Sequence, residues 1–394
     1  MTHPSLVVLL LCLIGCGGGG GQSESTPTSF AGADNDAAGG QNQDETGSGE
    51  TGADESWSLE RVTPETVGLD SAQIDQLFSH IYTDSAVQSA TLVKDGMIIG
   101  ERFAEGVSAD TIGTSWSVAK SFYGAAIGVA IDQNWITGAD QKVSDFITEW
   151  RGSNKEDVTV GQLLEMRAGI PDRSGLFLAR DQTAFAIGTD KTAAAGVRFV
   201  YSNPTSQLFE PLLQRSAGLD AHAFLRQEIL SPIGIDVNRI GMWLDPTGAQ
   251  PLTYMGLDMR PEDFARFGVL MARGGLWEDE QILSSAFVAQ SLSAKSPFYG
   301  YQWWQLNAAY FGQPVPVTVS AALGLDGQAI YVWPEADLVL VILTKYQHSR
   351  NQGYVLSETN FPDTCTGRGR CPPGAETVER YDQFELIRLL SELN

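Results

Sequence analysis

Two groups of strand-like sequence stand at opposite ends of this chain, so any sheet they share must close across everything between them. Near the start, residues 90–93 and 97–103 flank Asp95-Gly96, a dipeptide suited to a tight hairpin because both positions tolerate positive φ. Toward the other end, 315–320, 329–333 and 338–344 are rich in Val, Ile, Leu and aromatic residues and read as three more strands. The intervening sequence has helical spacing, at 160–166, 206–216, 221–230 and 261–273. A helix is also predicted at 70–82 and another at 378–393. The expectation is one sheet assembled from the two ends, with a helical region inserted into it and the functional groups where the two meet.

Ser117-Val118-Ala119-Lys120 opens the small, apolar segment 123–132, which predicts a buried helix with its polar end at Ser117. Residues three apart share a helix face, so the Lys120 amine can lie beside the Ser117 hydroxyl and take its proton during attack on a carbonyl. A serine and a lysine at this spacing can also meet by chance. Here Lys120 is the only one of the seven lysines with a serine three residues before it. Two partner motifs follow in order. Tyr201-Ser202-Asn203 offers a phenol that can carry a proton and an amide that can orient a carbonyl. The segment from Ala322 to Gln328 contains Gly324, where backbone can approach a ligand, so that the Leu325 and Ser117 amides would pair as an oxyanion hole.

Together these motifs resemble the serine β-lactamase and penicillin-binding protein superfamily, and within it class C β-lactamases, D-alanyl carboxypeptidases, related esterases and 6-aminohexanoate-dimer hydrolase. The connecting segments 158–170, 224–235 and 255–276 are similar to segments of that group. The resemblance covers 57–394. It implies an α+β fold with an antiparallel sheet flanked by helices, an all-helical subdomain, a site in the cleft between them, and neither metal nor cofactor. By the same resemblance Ser117, Lys120 and Tyr201 would be catalytic, with Asn203, Gly324 and Leu325 serving substrate and oxyanion. One departure bears on substrate. Where β-lactamases and transpeptidases carry Lys-Thr-Gly or His-x-Gly, this chain has Ala322, Leu323 and Gly324. The cation and hydroxyl that would hold a substrate carboxylate are missing, which favours a small ester or amide over a β-lactam or a D-alanyl peptide.

Other classes fit less well. With a net charge of −23 the chain would repel nucleic acid. It lacks the Gly-x-Ser-x-Gly elbow of α/β-hydrolases, and its His, Asp and Glu residues show no metal-ligand spacing. A binding or sensor protein without turnover would have no need of Ser117, Lys120 and Tyr201 together. His348, and Trp303 with Trp304, are further candidates to line the cleft; Arg173 or Arg350 would restore carboxylate binding by folding back into it.

The first 16 residues resemble a bacterial lipoprotein signal, with an apolar run at 6–14 leading to Leu13-Ile14-Gly15-Cys16, although no Lys or Arg precedes Arg61. Cys16 would then carry lipid and anchor the protein to a membrane of the bacterial envelope, facing the periplasm or the exterior. Residues 17–56 are Gly-rich, acidic and nearly free of apolar side chains, as expected for a disordered tether. Cys365 and Cys371, with five residues between them in a Pro- and Gly-rich loop, are expected to form a disulfide in an exported chain.

Overall fold

The computed structural model describes residues 59–344 and 380–394, together with two short strands, Thr364–Cys365 and Glu376–Thr377. The expected signal, Cys16, the tether, His348, Arg350 and the Cys365–Cys371 pairing lie outside the described residues.

The first α-helix of the described residues is α1 (Ser71–Ile81), which Asp70 caps by accepting a hydrogen bond from the Ala72 amide at 2.8 Å. Strands β1 (Val87–Lys94) and β2 (Met97–Phe103) follow as a hairpin. Its turn is Asp95-Gly96, with φ of 52° and 77°, as the dipeptide predicts. The two-residue strand β3 (Gly113–Thr114) leads into helix α2 (Ala119–Asp132) through the turn Trp116–Val118. Next comes the helical insert: α3 (Val160–Leu164), α4 (Gln182–Gly188), α5 (Asn203–Gln207), α6 (Phe209–Ala217) and α7 (Ala221–Leu225). Strands β4 (Gly241–Met242) and β5 (Leu257–Met259) join β3 in a small sheet. Helix α8 (Pro261–Ala272), hairpin β6 (Leu276–Trp277) and β7 (Glu280–Gln281), and helix α9 (Ser285–Ser291) complete the middle. The main sheet resumes with β8 (Trp304–Leu306), β9 (Val319–Leu323), β10 (Ala329–Trp333) and β11 (Leu338–Thr344). A short helix, α10 (Ala308–Phe311), separates β8 from β9, and α11 (Gln383–Ser391) ends the fold.

The six main strands run in the order β2-β1-β11-β10-β9-β8, every neighbouring pair antiparallel. Strand β1 pairs with β11, so the two ends of the chain meet in one sheet, as their separated strand patterns require. Successive side chains of a strand face opposite sides. Leu338, Leu340 and Ile342 of β11 pack toward α1 and α11, while Val339, Val341 and Leu343 pack toward α2 and α8. Burial on both faces explains why β11 reads as an unbroken apolar run. Helix α8 lies close on the sheet because Gly268 has no side chain; a Cβ there would meet Val339 Cγ1 at 2.4 Å.

Four elements differ from the sequence reading. The strand expected at 315–320 is β9, Val319–Leu323, because Pro314 and Pro316 supply no amide to a ladder and pairing starts beyond them. The helix expected at 206–216 starts at Asn203, where the Ser202 side chain caps it, and is divided into α5 and α6 at Leu208. The helix at 221–230 changes to π-helical geometry at Arg226–Leu230. The final helix begins at Gln383 under the Asp382 cap.

Within the insert, a buried carboxyl group makes folding pH-dependent. Glu210 of α6 is fully buried; one carboxylate oxygen accepts the Ala221 amide at 2.8 Å and the other has no partner. Burial, reinforced by Asp220, pushes its pKa from 4.5 up to about 8; Tyr123 and His222 are buried nearby and Arg226 lies beside both. A raised carboxyl pKa gives stability that is fully present below about pH 4.5 and is lost as pH rises through about 8. Glu210→Gln should therefore raise the melting temperature at pH 8.5 by a few degrees, leave it unchanged at pH 4.5, and flatten the profile between. Equal pH dependence in both proteins would contradict this.

Candidate active site

Ser117 lies in the turn that starts α2, and Lys120 follows one turn later on the same face. The Lys120 amine donates to Ser117 Oγ at 3.0 Å, to Asn203 Oδ1 at 2.8 Å and to the main-chain carbonyl of Tyr254 at 2.8 Å. Lys120 is 1% exposed, whereas Ser117 is half-buried and reachable from solvent. An amine taken out of water needs such partners, and these oxygens come from three separate parts of the chain. Two aromatic faces complete its surroundings, with Nζ 5.1 Å from the Tyr201 ring centre and 5.4 Å from that of Tyr254.

Each partner is fixed in turn. Asn203 opens α5, and its main-chain N–H donates to Asp172 Oδ1 at 2.9 Å, while the Ser202 hydroxyl caps the helix by accepting from the Thr205 main-chain N–H. The Tyr254 hydroxyl donates to Gln182 Oε1 at 2.7 Å. Tyr201 is half-buried, and its ring stacks on Trp304 with centroids 5.3 Å apart. Behind these groups runs a buried polar chain. Ser121 Oγ donates to the Gln302 carbonyl at 2.7 Å, Ser206 Oγ to Gln302 Oε1 at 3.1 Å, and Thr253 Oγ1 to the Ser206 carbonyl at 2.8 Å. Ser121 is next to Lys120, Ser206 shares α5 with Asn203, Thr253 precedes Tyr254, and Gln302 lies two residues before Trp304. The chain thus fixes the mutual placement of all four site residues.

The segment from Ala322 to Gln328 ends β9 beside the Ser117 turn. A Cβ on Gly324 would sit 2.4 Å from the Ser115 carbonyl oxygen, so glycine is what lets the strand end reach this turn. Leu325 packs against the apolar cluster of Trp116, Leu176, Trp243, Leu252, Tyr254 and Met255. Ala322 is buried in the core and Leu323 is half-buried; Arg173 is exposed.

Of the residues singled out from sequence, the structure brings Ser117, Lys120, Tyr201 and Asn203 together and sets Gly324 against the same turn. It divides the tryptophan pair. Trp304 lies on Tyr201, but Trp303 is fully buried on the other face, stacked on Phe267, and belongs to the core. His80 contacts the Asp382 carbonyl, and His222 is buried with its pKa pushed down to about 3 by loss of hydration. Among the described residues no group of His, Cys, Asp and Glu is arranged to hold a metal. Sequence reasoning missed Tyr254, which acts through its main chain and leaves no side-chain signature. It also missed Ser115 and Asp172.

Ser117, in the turn that starts α2, is open to solvent and hydrogen-bonded to a buried lysine, the nucleophile and proton carrier that a serine hydrolase requires. The Beta-lactamase family model matches residues 74–356, and the chain belongs to that family. It is 22% identical over 323 residues to the 6-aminohexanoate-dimer hydrolase of Paenarthrobacter ureafaciens, covering 71% of this chain and 80% of that protein. Solved structures share the fold. A Bacteroides dorei DSM 17855 protein provisionally described as a β-lactamase superposes with a TM-score of 0.61 at 17% identity, over 82% of this chain and 98% of the other. A class C β-lactamase gives 0.56 at 16% identity, over 71% and 92%.

Gly324→Ala tests the strand contact. The added methyl must push β9 away from Ser115, so labelling of Ser117 by a fluorophosphonate should slow by about tenfold, less than the hundredfold or more that outright loss of a catalytic hydrogen-bond donor costs. Wild-type labelling in a folded Gly324→Ala variant would show that the close approach is not needed.

Proposed function

We propose that Ser117 cleaves small esters or uncharged amides through an acyl-enzyme. The observation that carries this reading is the Lys120 amine 3.0 Å from Ser117 Oγ and held by Asn203 and the Tyr254 carbonyl. With Lys120 as the neutral amine, its lone pair turned to Oγ, Ser117 Oγ attacks the substrate carbonyl carbon and its proton passes to Lys120. The oxyanion faces the amides of Ser117 and Leu325, where the start of α2 adds partial positive charge. Collapse breaks the bond to the alcohol or amine, which leaves with a proton delivered by way of Tyr201. Water then attacks the acyl carbon, its proton passes through the same groups to Ser117 Oγ as the Oγ–acyl bond breaks, and the acid is released. Asn203 holds both Lys120 and the substrate carbonyl.

Lys120 and Ser117 act as one unit, so Ser117→Ala should abolish turnover and Lys120→Ala should cost nearly as much. Tyr201→Phe removes only the hydroxyl and should lower turnover by about a hundredfold or more without unfolding the protein. Near-native turnover in that variant would assign the proton work to Lys120 alone.

Substrate class follows from Ala322 and Leu323, which supply neither cation nor hydroxyl, and from Arg173, which is exposed. Ala322 and Leu323 leave a buried substrate carboxylate without the partner that a cationic or hydroxyl side chain at those positions would supply. The likeness to a 6-aminohexanoate-dimer hydrolase supports a small-molecule substrate. Catalytic efficiency on p-nitrophenyl butyrate should exceed that on nitrocefin by about tenfold or more, as the loss of one charge-assisted contact requires. A preference for nitrocefin would favour the β-lactamase reading.

A further inference from the structure

The residue before the nucleophile has an unusual backbone. Trp116 has φ of 44°, a region that bulky side chains avoid, and such a conformation persists only where its surroundings enforce it. The Trp116 ring is held edge-on against Trp243, with centroids 5.7 Å apart, and the Trp243 indole donates to Asp258 Oδ2 at 3.0 Å. Those contacts fix the ring. The backbone is held by Ser115, which is fully buried. Its amide donates to the Leu257 carbonyl at 2.7 Å, its Oγ accepts the Leu257 amide at 2.8 Å, and the same Oγ donates to the Trp116 carbonyl at 3.0 Å.

The last bond has a specific consequence. The Trp116 carbonyl and the Ser117 N–H are the two ends of one planar peptide, pointing in opposite directions. Whatever holds the carbonyl sets the direction of the N–H. The turn supplies one such contact, the Ala119 amide; Ser115 Oγ supplies a second, tied through Leu257 to the small sheet. We infer that Ser115 is a positioning residue for the oxyanion hole: its hydroxyl orients the Trp116–Ser117 peptide so that the Ser117 amide faces the developing charge. This rests on the proposed acyl-enzyme reading.

The test compares wild type with Ser115→Ala, which deletes the hydroxyl, and Ser115→Cys, which keeps similar bulk but is a weak donor. Three quantities are measured on each folded protein: the rate of Ser117 labelling by a fluorophosphonate, the inhibition constant of phenylboronic acid, and KM for a butyrate ester. The tetrahedral boronate adduct reports the hole, whereas KM, measured on an ester for which acylation limits turnover, reports ground-state binding. Labelling and boronate affinity are expected to fall together by about tenfold, less than the hundredfold or more for losing a donor outright, with KM nearly unchanged. Either folded variant matching wild type in labelling and boronate affinity overturns the inference, as does a loss shared equally by KM and boronate affinity, which would mark a general disturbance. If Ser115→Ala does not fold, Ser115→Cys alone decides. A wild-type protein inert to both reagents would instead sink the acyl-enzyme reading itself.

Discussion

A buried amine must be surrounded by oxygen, and here that requirement organises the molecule. The Lys120 side chain is out of water, and Ser117 Oγ, Asn203 Oδ1 and the Tyr254 carbonyl meet at its nitrogen. Left without those partners, it would cost several kcal/mol to keep in place as an ammonium. Helix α2, helix α5 and the loop before β5 are therefore bound to a common point. The same arrangement that makes Lys120 tolerable in the interior brings it against the one oxygen that solvent can reach. Stability and chemistry share one set of contacts.

That convergence depends on close packing at two places. Along α2 nearly every residue is buried, so the helix behaves as a fixed axle between the sheet and the insert. At its start, Gly324 lets the end of β9 reach the Ser115 carbonyl, while Ser115 itself is tied to β5. The chain of Ser121, Gln302, Ser206 and Thr253 then ties the elements that carry Lys120, Trp304, Asn203 and Tyr254. A buried polar chain of this kind is unfavourable when partly satisfied and rigid when complete, so it selects one relative placement of its elements.

The sequence was most legible where local chemistry leaves no alternative. The Asp95-Gly96 turn, and the runs that became β10 and β11, were readable to the residue because a turn dipeptide and a doubly buried strand each have an unmistakable pattern. Strand β9 was misplaced because Val315 and Val317 look strand-like, while the prolines beside them deny the ladder its donors. Among site groups, Ser117, Lys120, Tyr201 and Asn203 meet through their side chains and so leave a trace in the letters. Tyr254 contributes a carbonyl that any residue would carry. Adjacent residues of an extended segment face opposite sides, which is why Trp303 entered the core cluster around α2 and α8 while Trp304 joined the other cluster, against Tyr201; their neighbourhood in sequence says nothing about which does which.

The central claim is that Ser117 becomes covalently acylated with Lys120 as the acceptor of its proton. The most direct measurement is mass spectrometry of enzyme quenched with acid during turnover of p-nitrophenyl butyrate, followed by peptide mapping. The account predicts a butyryl adduct on the peptide containing Ser117, present in wild type, enriched when deacylation is slowed, and lost in Lys120→Ala. Turnover without any adduct on that peptide, or an adduct on another residue, would contradict it.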